Sequence, residues 1–465
     1  MKKKIVNIEK NSADFINQDS IHEKKHDENL WNARLKRDRI AQSIPEWEEL
    51  KELASKIKEH TLSHLDEYVN RFAENASKKG AVVHWARDAQ EHNEIVYNIL
   101  QERKVTEIIK SKSMLQEECE MSSFLESKGI VVTESDLGER IQQLSHQPPA
   151  HIVMPAIEKT TEDIAQLFAK TIGTDPNDTD AHSLNEAMRN NARPKFLRAG
   201  AGMTGANFAI AETGTFVVCT NEGNADIGAS VPPLHIASIG IEKIIPKVED
   251  LGIFIRLLSR SALGTPATQY TSHFTGPRKN GELHIIITDN GRSDRLGMED
   301  FWTSLKCIRC GACMNTCPVY RRSGGLSYES TYSGPIGIIL SPTFDLEKYK
   351  ELPYHSTLCG SCSDVCPVKI DISDQIYKWR QLVVDKGYMP SNRKYSLEAA
   401  GTVFGHPHLF RTMETVAEKA LPMVPDFLIY SSLNPWTQER KMFSMAKNTF
   451  RDWYIKNRKE KNDKY

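Results

Sequence analysis

Apolar residues recur along the chain with changing periods, and these periods predict most of its secondary structure. From Trp47 to Phe72 they recur at helical spacing with charged residues on the other faces, and Gly80 ends the segment. This spacing predicts one amphipathic helix that packs a single stripe onto a core. Residues 1–42 are highly charged with few apolar positions, so we expect a loosely held arm with some helix.

From residue 81 onward, short continuous apolar runs alternate with helical stretches. Because a continuous apolar run indicates a strand buried on both faces, the alternation predicts an α/β fold with an open, mostly parallel sheet covered by helices on both sides. The runs lie at 81–85, 105–109, 130–133, 151–154, 215–219, 234–239 and 283–287. The helical stretches include 89–102, 115–128, 161–171 and 248–258.

The pattern changes again after the α/β part, so we expect four regions. They are a charged N-terminal arm and helix at 1–60, an α/β domain at 61–295, a cysteine-rich block at 296–385 and a helical C-terminal extension at 386–465. The length of 465 residues exceeds a single ordinary core and agrees with several domains.

The bulk charge argues against two classes of function. With 60 Lys and Arg against 61 Asp and Glu, the formal net charge is −1, which gives no electrostatic drive toward nucleic acid or a membrane surface. No apolar run approaches the roughly 20 residues of a membrane span, and the basic first residues are not followed by the apolar region of a secretory signal. We expect a cytoplasmic protein without a transmembrane segment or a nucleic-acid partner.

The strongest chemical signal is a pair of matching cysteine runs. The first reads Cys307-Ile-Arg-Cys310-Gly-Ala-Cys313-Met-Asn-Thr-Cys317-Pro, which is the C-x2-C-x2-C-x3-C-P spacing of tetranuclear iron–sulfur clusters. The second reads Cys359-Gly-Ser-Cys362-Ser-Asp-Val-Cys366-Pro and has Ser356 where the first cysteine would stand. Two intervening residues let successive thiolates reach different irons from one tight loop.

Aligned on their Cys-Pro ends, the two runs form an internal repeat, which predicts a pseudo-twofold pair of loops. In two-cluster ferredoxins the cysteine before proline ligates the cluster of the other run, so we expect the same crossed ligation here. The first predicted [4Fe-4S] cluster takes Cys307, Cys310, Cys313 and Cys366. The second takes Cys317, Cys359 and Cys362, which leaves one iron without a motif cysteine. Three alternatives stay open: Ser356 ligates through oxygen, the site holds a [3Fe-4S] cluster, or the fourth iron is open to water, substrate or another ligand.

Two other interpretations of the cysteines are weaker. Paired C-x2-C knuckles also build four-thiolate zinc sites, but one run here carries four thiolates and both end in Cys-Pro, which favours iron as the metal. Cys119 lies in a predicted helix and Cys219 ends a predicted strand, so we expect both to be buried core thiols.

The α/β part offers a pocket but no recognisable catalytic set. Gly200-Ala-Gly-Met-Thr-Gly205 has dinucleotide-loop spacing, yet it follows a helix-like stretch, so we expect a glycine-rich turn that lines a pocket. Pockets in open α/β sheets form at the carboxyl ends of strands. The candidate pocket residues are Glu212, Thr213, Asn207 and Lys112. No Ser/His/Asp or Cys/His set can be assembled, so the catalytic residues stay unassigned.

Five segments of the chain carry a resemblance to a known family: Glu134-Ser-Asp-Leu-Gly-Glu139, His151-Ile-Val-Met-Pro-Ala156, Ala211-Glu-Thr-Gly-Thr215, Tyr332-Ser-Gly-Pro-Ile-Gly337 and Leu358-Cys-Gly-Ser-Cys362. Together they resemble the lactate utilization protein B family, the iron–sulfur subunit of the bacterial L-lactate utilization system. The resemblance implies an α/β domain of the lactate-utilization or coenzyme A-transferase-like fold, a two-cluster ferredoxin-like α-helical domain and a helical C-terminal extension.

The resemblance also implies a function. It implies a complex with two other lactate-utilization subunits that oxidises L-lactate to pyruvate and allows growth on lactate, in which this subunit carries electrons to an acceptor that the sequence does not identify. An alternative stays open: the chain itself binds and oxidises the 2-hydroxy acid, through its α/β pocket or an open-site cluster. A generic adaptor of the glycerol-dehydrogenase or heterodisulfide-reductase kind is less compatible with the extended α/β domain.

Overall fold

The computed structural model describes residues 5–18, 20–431, 437, 441–442 and 450–459. The chain divides into two compact units between Lys386 and Gly387. The strands, all in the first unit, are β1 (Val82–Ala86), β2 (Glu107–Lys110), β3 (Val131–Glu134), β4 (Ala201–Thr204), β5 (Phe208–Ile210), β6 (Thr215–Thr220), β7 (Leu234–Gly240), β8 (Ile244–Ile245), β9 (Tyr270–Phe274) and β10 (Glu282–Thr288).

The helices of the first unit precede, separate and follow these strands in the sequence. They are α1 (Ile8–Gln18), α2 (Ser20–Gln42), α3 (Trp47–Ser63), α4 (Leu65–Lys78), α5 (Ala89–Glu102), α6 (Met114–Glu118), α7 (Met121–Ser127), α8 (Leu137–Leu144), α9 (Thr161–Ile172), α10 (Ala181–Arg198), α11 (Asn224–Ser230), α12 (Val248–Leu263), α13 (Arg292–Leu296), α14 (Ala312–Thr316), α15 (Pro318–Ser323), α16 (Gly334–Phe344), α17 (Ser361–Asp364) and α18 (Ile372–Asp385).

The predicted open parallel sheet is confirmed. Six strands pair in the order β1-β10-β7-β4-β2-β3, and every pairing is parallel. The central β7 is buried along its whole length, as its continuous apolar run predicts. In this sheet β3 lies on one side of β2, whereas β4, β7 and β10 follow one another on its other side. The direction in which the chain adds strands therefore reverses between β2 and β4. Such a reversal opens a crevice at the carboxyl ends of the strands.

A second, smaller sheet has the order β8-β5-β6-β9. Within it β5 and β9 pair antiparallel with β6, and β8 is parallel to β5. Of these four strands the sequence pattern predicts only β6. The others have two to five residues each, which is too short for a periodicity to be recognised.

Residues 151–154, predicted as a strand, form an irregular loop, and that prediction is wrong. Nδ1 of His151 accepts hydrogen bonds from the backbone N–H groups of Val153 and Met154 at 2.9 and 3.0 Å. These donors are therefore used locally and are not available to a strand ladder. The other ring nitrogen of His151 lies 3.0 Å from Oδ1 of Asn315.

Two further predictions in the first half of the chain need correction. The single helix expected from Trp47 to Phe72 is two helices, α3 and α4, which meet at His64, where φ of −130° and ψ of 36° are not helical. The glycine pattern that starts at Gly200 forms strand β4 rather than a turn. There a Cβ on Gly202 would lie 1.7 Å from the carbonyl oxygen of Gly228, so glycine lets α11 pack directly against the strand.

The N-terminal segment is not loosely held. Leu30 of α2 is completely buried, and Nδ1 of His26 lies 2.9 Å from the carbonyl oxygen of Arg321. Arg321 also donates from Nε to Oδ1 of Asp27 at 2.6 Å. The charged residues of α2 therefore find partners in the cysteine-rich block, and these distant partners explain why composition alone misleads here.

The second unit is helical, as predicted. Its helices are α19 (Ser391–Gly405), α20 (Pro407–Ala420), α21 (Asp426–Ile429) and α22 (Phe450–Tyr454). The basic end of the chain lies partly outside the described residues. Among the described residues, no helix is both long and apolar enough to cross a membrane.

Candidate functional site

The two cysteine runs form loops with the same local backbone shape. Arg309 and Leu358, which precede the second cysteine position of each run, both have left-handed φ values, 61° and 54°. Gly311 and Gly360, which follow that position, have φ values of 74° and 79°. Each loop then enters a short helix, α14 or α17. This alternation of backbone conformations curls each chain segment tightly around its sulfurs.

The first position of each loop has the same hydrogen bond. The backbone N–H of Arg309 donates to Sγ of Cys307 at 3.4 Å. In the other loop the backbone N–H of Leu358 donates to Oγ of Ser356 at 3.2 Å. Ser356 Oγ therefore holds, relative to its own loop, the place that Cys307 Sγ holds in the first.

The fold brings together the four cysteines that the repeat assigns to the first cluster. Cys307, Cys310, Cys313 and Cys366 line one small cavity, although Cys366 belongs to the second run. The remaining walls are mainly apolar, from Ile152, Ile308, Ile336, Val368, Ile370 and Ile372. The backbone N–H of Ile370 donates to Sγ of Cys366 at 3.3 Å. Amide donors on sulfur inside an apolar shell are a typical environment of an iron–sulfur cluster.

The burial of these thiols also fits a bound metal. Burial raises the pKa of Cys310 and of Cys313 far above the usual range, and it raises the pKa of Cys366 to about 11. A thiolate is therefore costly at these positions unless a cation binds it. Among the described residues, no three His, Cys, Asp or Glu side chains are arranged to hold a single metal ion.

The second predicted set is also close together but lies nearer to the surface. Burial and the neighbouring sulfurs of Cys317 and Cys359 raise the pKa of Cys362 to about 12. The backbone N–H of Tyr320 donates to Sγ of Cys317 at 3.4 Å. Cys359 is exposed, whereas Cys362 is buried. One edge of this set therefore faces solvent.

Helices α2 and α3 hold the two loops together from outside. The Nη1 of Arg34 donates to Oγ1 of Thr316 and, at 3.2 Å, to Oγ of Ser361. These two hydroxyls lie 2.5 Å apart, one from each loop region. Nη2 of Arg37 donates to the carbonyl oxygen of Val365 at 3.2 Å, and Nζ of Lys51 donates to that of Asp364 at 3.0 Å.

Sequence reasoning missed this cationic clamp, defined here as Arg34, Arg37 and Lys51. The available signal is the spacing of Arg34 and Arg37, which puts both guanidinium groups on the buried side of α2 near Leu30 and Ala33.

A second candidate site lies where the carboxyl ends of the parallel strands meet. It is a cavity of about 190 Å³. The segments that follow β2, β3, β4, β7 and β10 contribute to it through Lys112, Asp136, Asn207, Lys243 and Arg292 respectively. Arg309, Cys310 and Tyr332 from the cysteine-rich block also line it. The cavity therefore lies at the reversal of strand order and shares a wall with the first cysteine loop.

The predicted pocket residues divide into two groups. Lys112 and Asn207 line the cavity, and Oδ1 of Asn207 accepts from the backbone N–H of Cys219 at 2.8 Å. Glu212 and Thr213 do not line it, which corrects their assignment. They form the turn between β5 and β6, where Glu212 is exposed and its carboxylate accepts from the backbone N–H of Val248 at 3.1 Å.

A buried ion-pair network connects the sheet to the first cysteine loop. Arg292, which is 1% exposed, donates to both carboxylate oxygens of Glu118 at 2.8 and 3.1 Å and to Oε2 of Glu242. The hydroxyl of Tyr332 donates to Glu118 at 2.6 Å. Arg309 lies 4.6 Å from the ring centroid of Tyr332, and its Nη2 is 3.7 Å from Oε1 of Glu242.

The charges of this network are fixed by their partners. Burial alone would raise the pKa of Glu118 and of Glu242, but the Arg292 guanidinium holds both below the usual range. Burial lowers the pKa of Lys243 to about 8, against the opposing attraction of Glu242. Sequence reasoning missed Arg292 and Lys243; their position just after buried strands was the available signal.

The two cysteines outside the runs differ in their surroundings. Cys119 is 3% exposed, and burial raises its pKa to about 12, which agrees with a core thiol. Cys219 is only partly buried by side-chain exposure and lines the cavity at the strand ends, and burial raises its pKa to about 11.

Comparison with known protein families matches three consecutive parts of the chain. A family model for the LUD domain matches residues 69–294, a 4Fe-4S dicluster domain matches residues 303–370, and the C-terminal domain of lactate utilisation protein B matches residues 382–460. The dicluster match supports iron–sulfur clusters as the cofactor.

The chain is similar over most of its length to curated proteins. It is 42% identical to lactate utilization protein B of Bacillus licheniformis, with 92% of each chain covered. It is 41% identical to lactate utilization protein B of Geobacillus sp. strain WCH70, with 93% of each covered. A solved structure of a DUF162 family protein from Deinococcus radiodurans is 14% identical and covers 48% of this chain and 98% of its own, but the TM-score of 0.27 is too low to support an argument.

Proposed function

Because the chain belongs to the lactate utilization protein B family, we propose that it transfers electrons through two iron–sulfur clusters in a complex of lactate-utilization proteins that oxidises L-lactate to pyruvate. Oxidation of one lactate releases two electrons and two protons, and iron–sulfur clusters take up and release electrons one at a time. The observation that carries the proposal is the pair of cysteine loops with matching backbone shape, interleaved through Cys366.

The proposed ligand sets follow the crossed arrangement. The first [4Fe-4S] cluster is held by Cys307, Cys310, Cys313 and Cys366, whose common cavity supports this assignment. The second cluster is held by the three remaining cysteines of the runs, Cys317, Cys359 and Cys362.

We also propose Ser356 Oγ as the fourth ligand of the second cluster. The hydrogen bond from the Leu358 N–H supports this assignment because it matches the bond that the Arg309 N–H makes to Cys307 Sγ. An alkoxide ligand is harder than a thiolate and binds iron with a different electronic effect, so this cluster is expected to differ spectroscopically from the first.

Electrons are proposed to enter or leave the subunit at the second cluster. Cys359 is exposed, whereas three of the four cysteines of the first set are buried. A partner lactate-utilization subunit can therefore approach the second cluster from the side of Cys359. The number of partner subunits, expected to be two, belongs to the same proposal.

The proposal is tested with the full chain purified without oxygen and reconstituted with iron and sulfide. We expect two EPR-active clusters after chemical reduction, and the same signals after addition of L-lactate in the presence of the partner subunits. Cys362→Ala, which leaves no ligand atom at this position, is expected to remove the second cluster and to abolish its lactate-dependent reduction.

Cys119→Ala is the matched control, because Cys119 is a buried thiol outside both loops. Its iron content and its EPR signals are expected to equal those of the unchanged protein. Protein that binds zinc alone, or clusters that never become reduced with lactate and the partner subunits, would overturn the proposal.

A further inference from the structure

We infer that the cavity at the carboxyl ends of the sheet binds a small 2-hydroxy or 2-oxo carboxylate, the chemical class of L-lactate and pyruvate. The inference deepens the proposed function and rests on it for the choice between these acids. The cavity itself favours an anion.

The position and size of the cavity suit a small ligand. It lies at the reversal of strand order between β2 and β4, where ligands bind in open α/β sheets. Its volume of about 190 Å³ is below that of drug-sized pockets, which take roughly 300–1,000 Å³, and accommodates a short organic acid with water.

Charged residues of both signs line the cavity. The cations are Lys112, Lys243, Arg292 and Arg309, and the carboxylates are Asp136, Glu222 and Glu242. Arg309 is 8% exposed, and the nearest carboxylate, that of Glu242, already accepts a hydrogen bond from Arg292. In the described part of the chain Lys243 has neither a hydrogen bond nor an ion pair with a side chain. Nη1 of Arg309 is buried and has no hydrogen-bond partner among the described residues. Because a buried donor on a cation is costly to leave unpaired, this side of the cavity favours an anionic acceptor.

Part of this positive charge also serves the first cluster. Burial opposes the charge of Arg309, but the neighbouring Tyr332 and the Cys307 thiolate raise its pKa, so its guanidinium would partly offset the negative charge of a bound cluster. Lys112 lies in the loop after β2, which contains none of the proposed iron ligands. A role in ligand binding and a role in balancing the cluster are therefore separable at Lys112.

Unsatisfied polar atoms support an oxygen-rich ligand. Ser111 Oγ, Thr220 Oγ1, Asn224 Oδ1 and Arg309 Nη1 are buried and have no hydrogen-bond partner among the described residues. All four residues line the cavity. Buried polar atoms are nearly always paired, so four orphans around one cavity indicate a missing partner.

A 2-hydroxy or 2-oxo acid supplies the partners that these atoms need. Its carboxylate matches the guanidinium of Arg309 and the ammonium groups of the two lysines. Its second oxygen, one carbon away, reaches hydroxyl donors, and the hydroxyl of a 2-hydroxy acid donates to an acceptor such as Asn224 Oδ1. A simple carboxylate such as acetate satisfies only the first set.

The test is anaerobic calorimetry on the full chain with its clusters in place. L-lactate, pyruvate, acetate and inorganic phosphate are titrated separately into the unchanged protein, Lys112→Ala and Lys78→Ala. We expect saturable binding of L-lactate or pyruvate, about tenfold weaker for Lys112→Ala, and unchanged for Lys78→Ala, whose side chain is 69% exposed on α4. Ligand should also change the EPR spectrum assigned to the first cluster, because Cys310 lines the cavity.

Each other outcome overturns the inference. Absence of binding of all four anions to protein with intact clusters removes the site. Phosphate or acetate binding as tightly as the 2-substituted acids removes the proposed ligand class, and binding that Lys112→Ala leaves unchanged places the ligand elsewhere. Loss of the proposed function has a separate signature, because clusters that are never reduced with lactate and the partner subunits leave the calorimetric result intact.

Discussion

Gly311 and Gly360 occupy the same position in two cysteine loops of the same shape, but their surroundings differ. A Cβ on Gly311 would lie 3.1 Å from Cε1 of His151 and 3.2 Å from a methyl of Val153, whereas a Cβ on Gly360 would meet nothing within 4 Å. The first loop is thus enclosed by the loop that His151 orders, and the second is open beside the exposed Cys359.

This difference separates two contributions to an iron–sulfur site. The backbone shape follows from local cysteine and glycine spacing, and so both loops share it. The enclosure depends on distant parts of the chain that pack against one loop only. Because burial and neighbouring charges influence the reduction potential, loops of equal shape are expected to hold unequal clusters.

The largest effect is expected from exchanging cysteines that cross between the loops. Cys366→Ala should change only the first cluster, so its EPR spectrum should match that of Cys313→Ala. Cys317→Ala should change only the second cluster and match Cys362→Ala. Iron content should fall in all four variants, because alanine has no ligand atom. If Cys366→Ala instead matched Cys362→Ala, each loop would hold its own cluster and the crossing would be wrong.

A smaller change is expected at the one unequal ligand position. Ser356→Ala should remove one iron from the second cluster and give a three-iron EPR signal, because alanine has no ligand atom. Ser356→Cys should keep four irons and make the two clusters more alike. Thr357→Ala, at the exposed neighbouring residue, serves as control. A spectrum that Ser356→Ala leaves unchanged would exclude the serine as a ligand.

The paired glycines test the enclosure itself. Alanine at either position takes a left-handed φ, which costs roughly 1–2 kcal/mol. Gly311→Ala should lose about 1–3 kcal/mol more, because the added methyl crowds His151 and Val153. Urea unfolding under anaerobic conditions measures the difference. Equal losses for Gly311→Ala and Gly360→Ala would show that the first loop yields as readily as the second.

The cationic clamp is expected to act on both loops together. Arg34→Ala removes the charged hydrogen bonds to Thr316 and Ser361, which should lower the free energy of unfolding by roughly 1.5–3 kcal/mol. Arg39→Ala on the exposed side of α2 should change it by less than about 0.5 kcal/mol. Similar losses for both variants would mean that the clamp contributes little.

A pH effect is expected at the first loop. Burial lowers the pKa of His151 to about 3, so the folded protein keeps this ring neutral while the unfolded chain, with a pKa near the usual 6.5, takes up a proton as the pH falls. The free energy of unfolding should therefore decrease below pH 6.5, by up to about 1.4 kcal/mol at pH 5.5. His151→Gln should remove this part of the slope, and His60→Gln should not.

Continuous apolar runs and cysteine spacing made the parallel sheet and the grouping of the cysteines predictable. These signals are local, and each has few alternative explanations. The strand-end rule also found Lys112 and Asn207. The rule failed for Glu212, which lies in the turn between β5 and β6 and accepts a hydrogen bond from the backbone N–H of Val248. An acidic residue beside a strand can occupy a turn as readily as a pocket.

Long-range packing accounts for the other failures. The apolar residues after His151 were predicted as a strand, but they enclose Gly311, and nothing in the run itself distinguishes the two uses. Residues 1–42 were expected to be loose because few of them are apolar. Instead Asp27 accepts a hydrogen bond from Arg321, and Arg34 donates one to Thr316. No pattern within the segment can reveal partners so distant in sequence.

The cationic clamp joins parts of the chain that are synthesised at different times, as Arg34 shows. This residue and its partner Thr316 are 282 positions apart, so at roughly 5–20 residues per second a ribosome needs on the order of 15–60 s to synthesise the interval between them. The clamp therefore cannot close until the cysteine loops exist. Cluster insertion and clamp closure both follow synthesis of the cysteine loops, and protease protection of α2 during synthesis with and without iron measures whether closure requires the clusters.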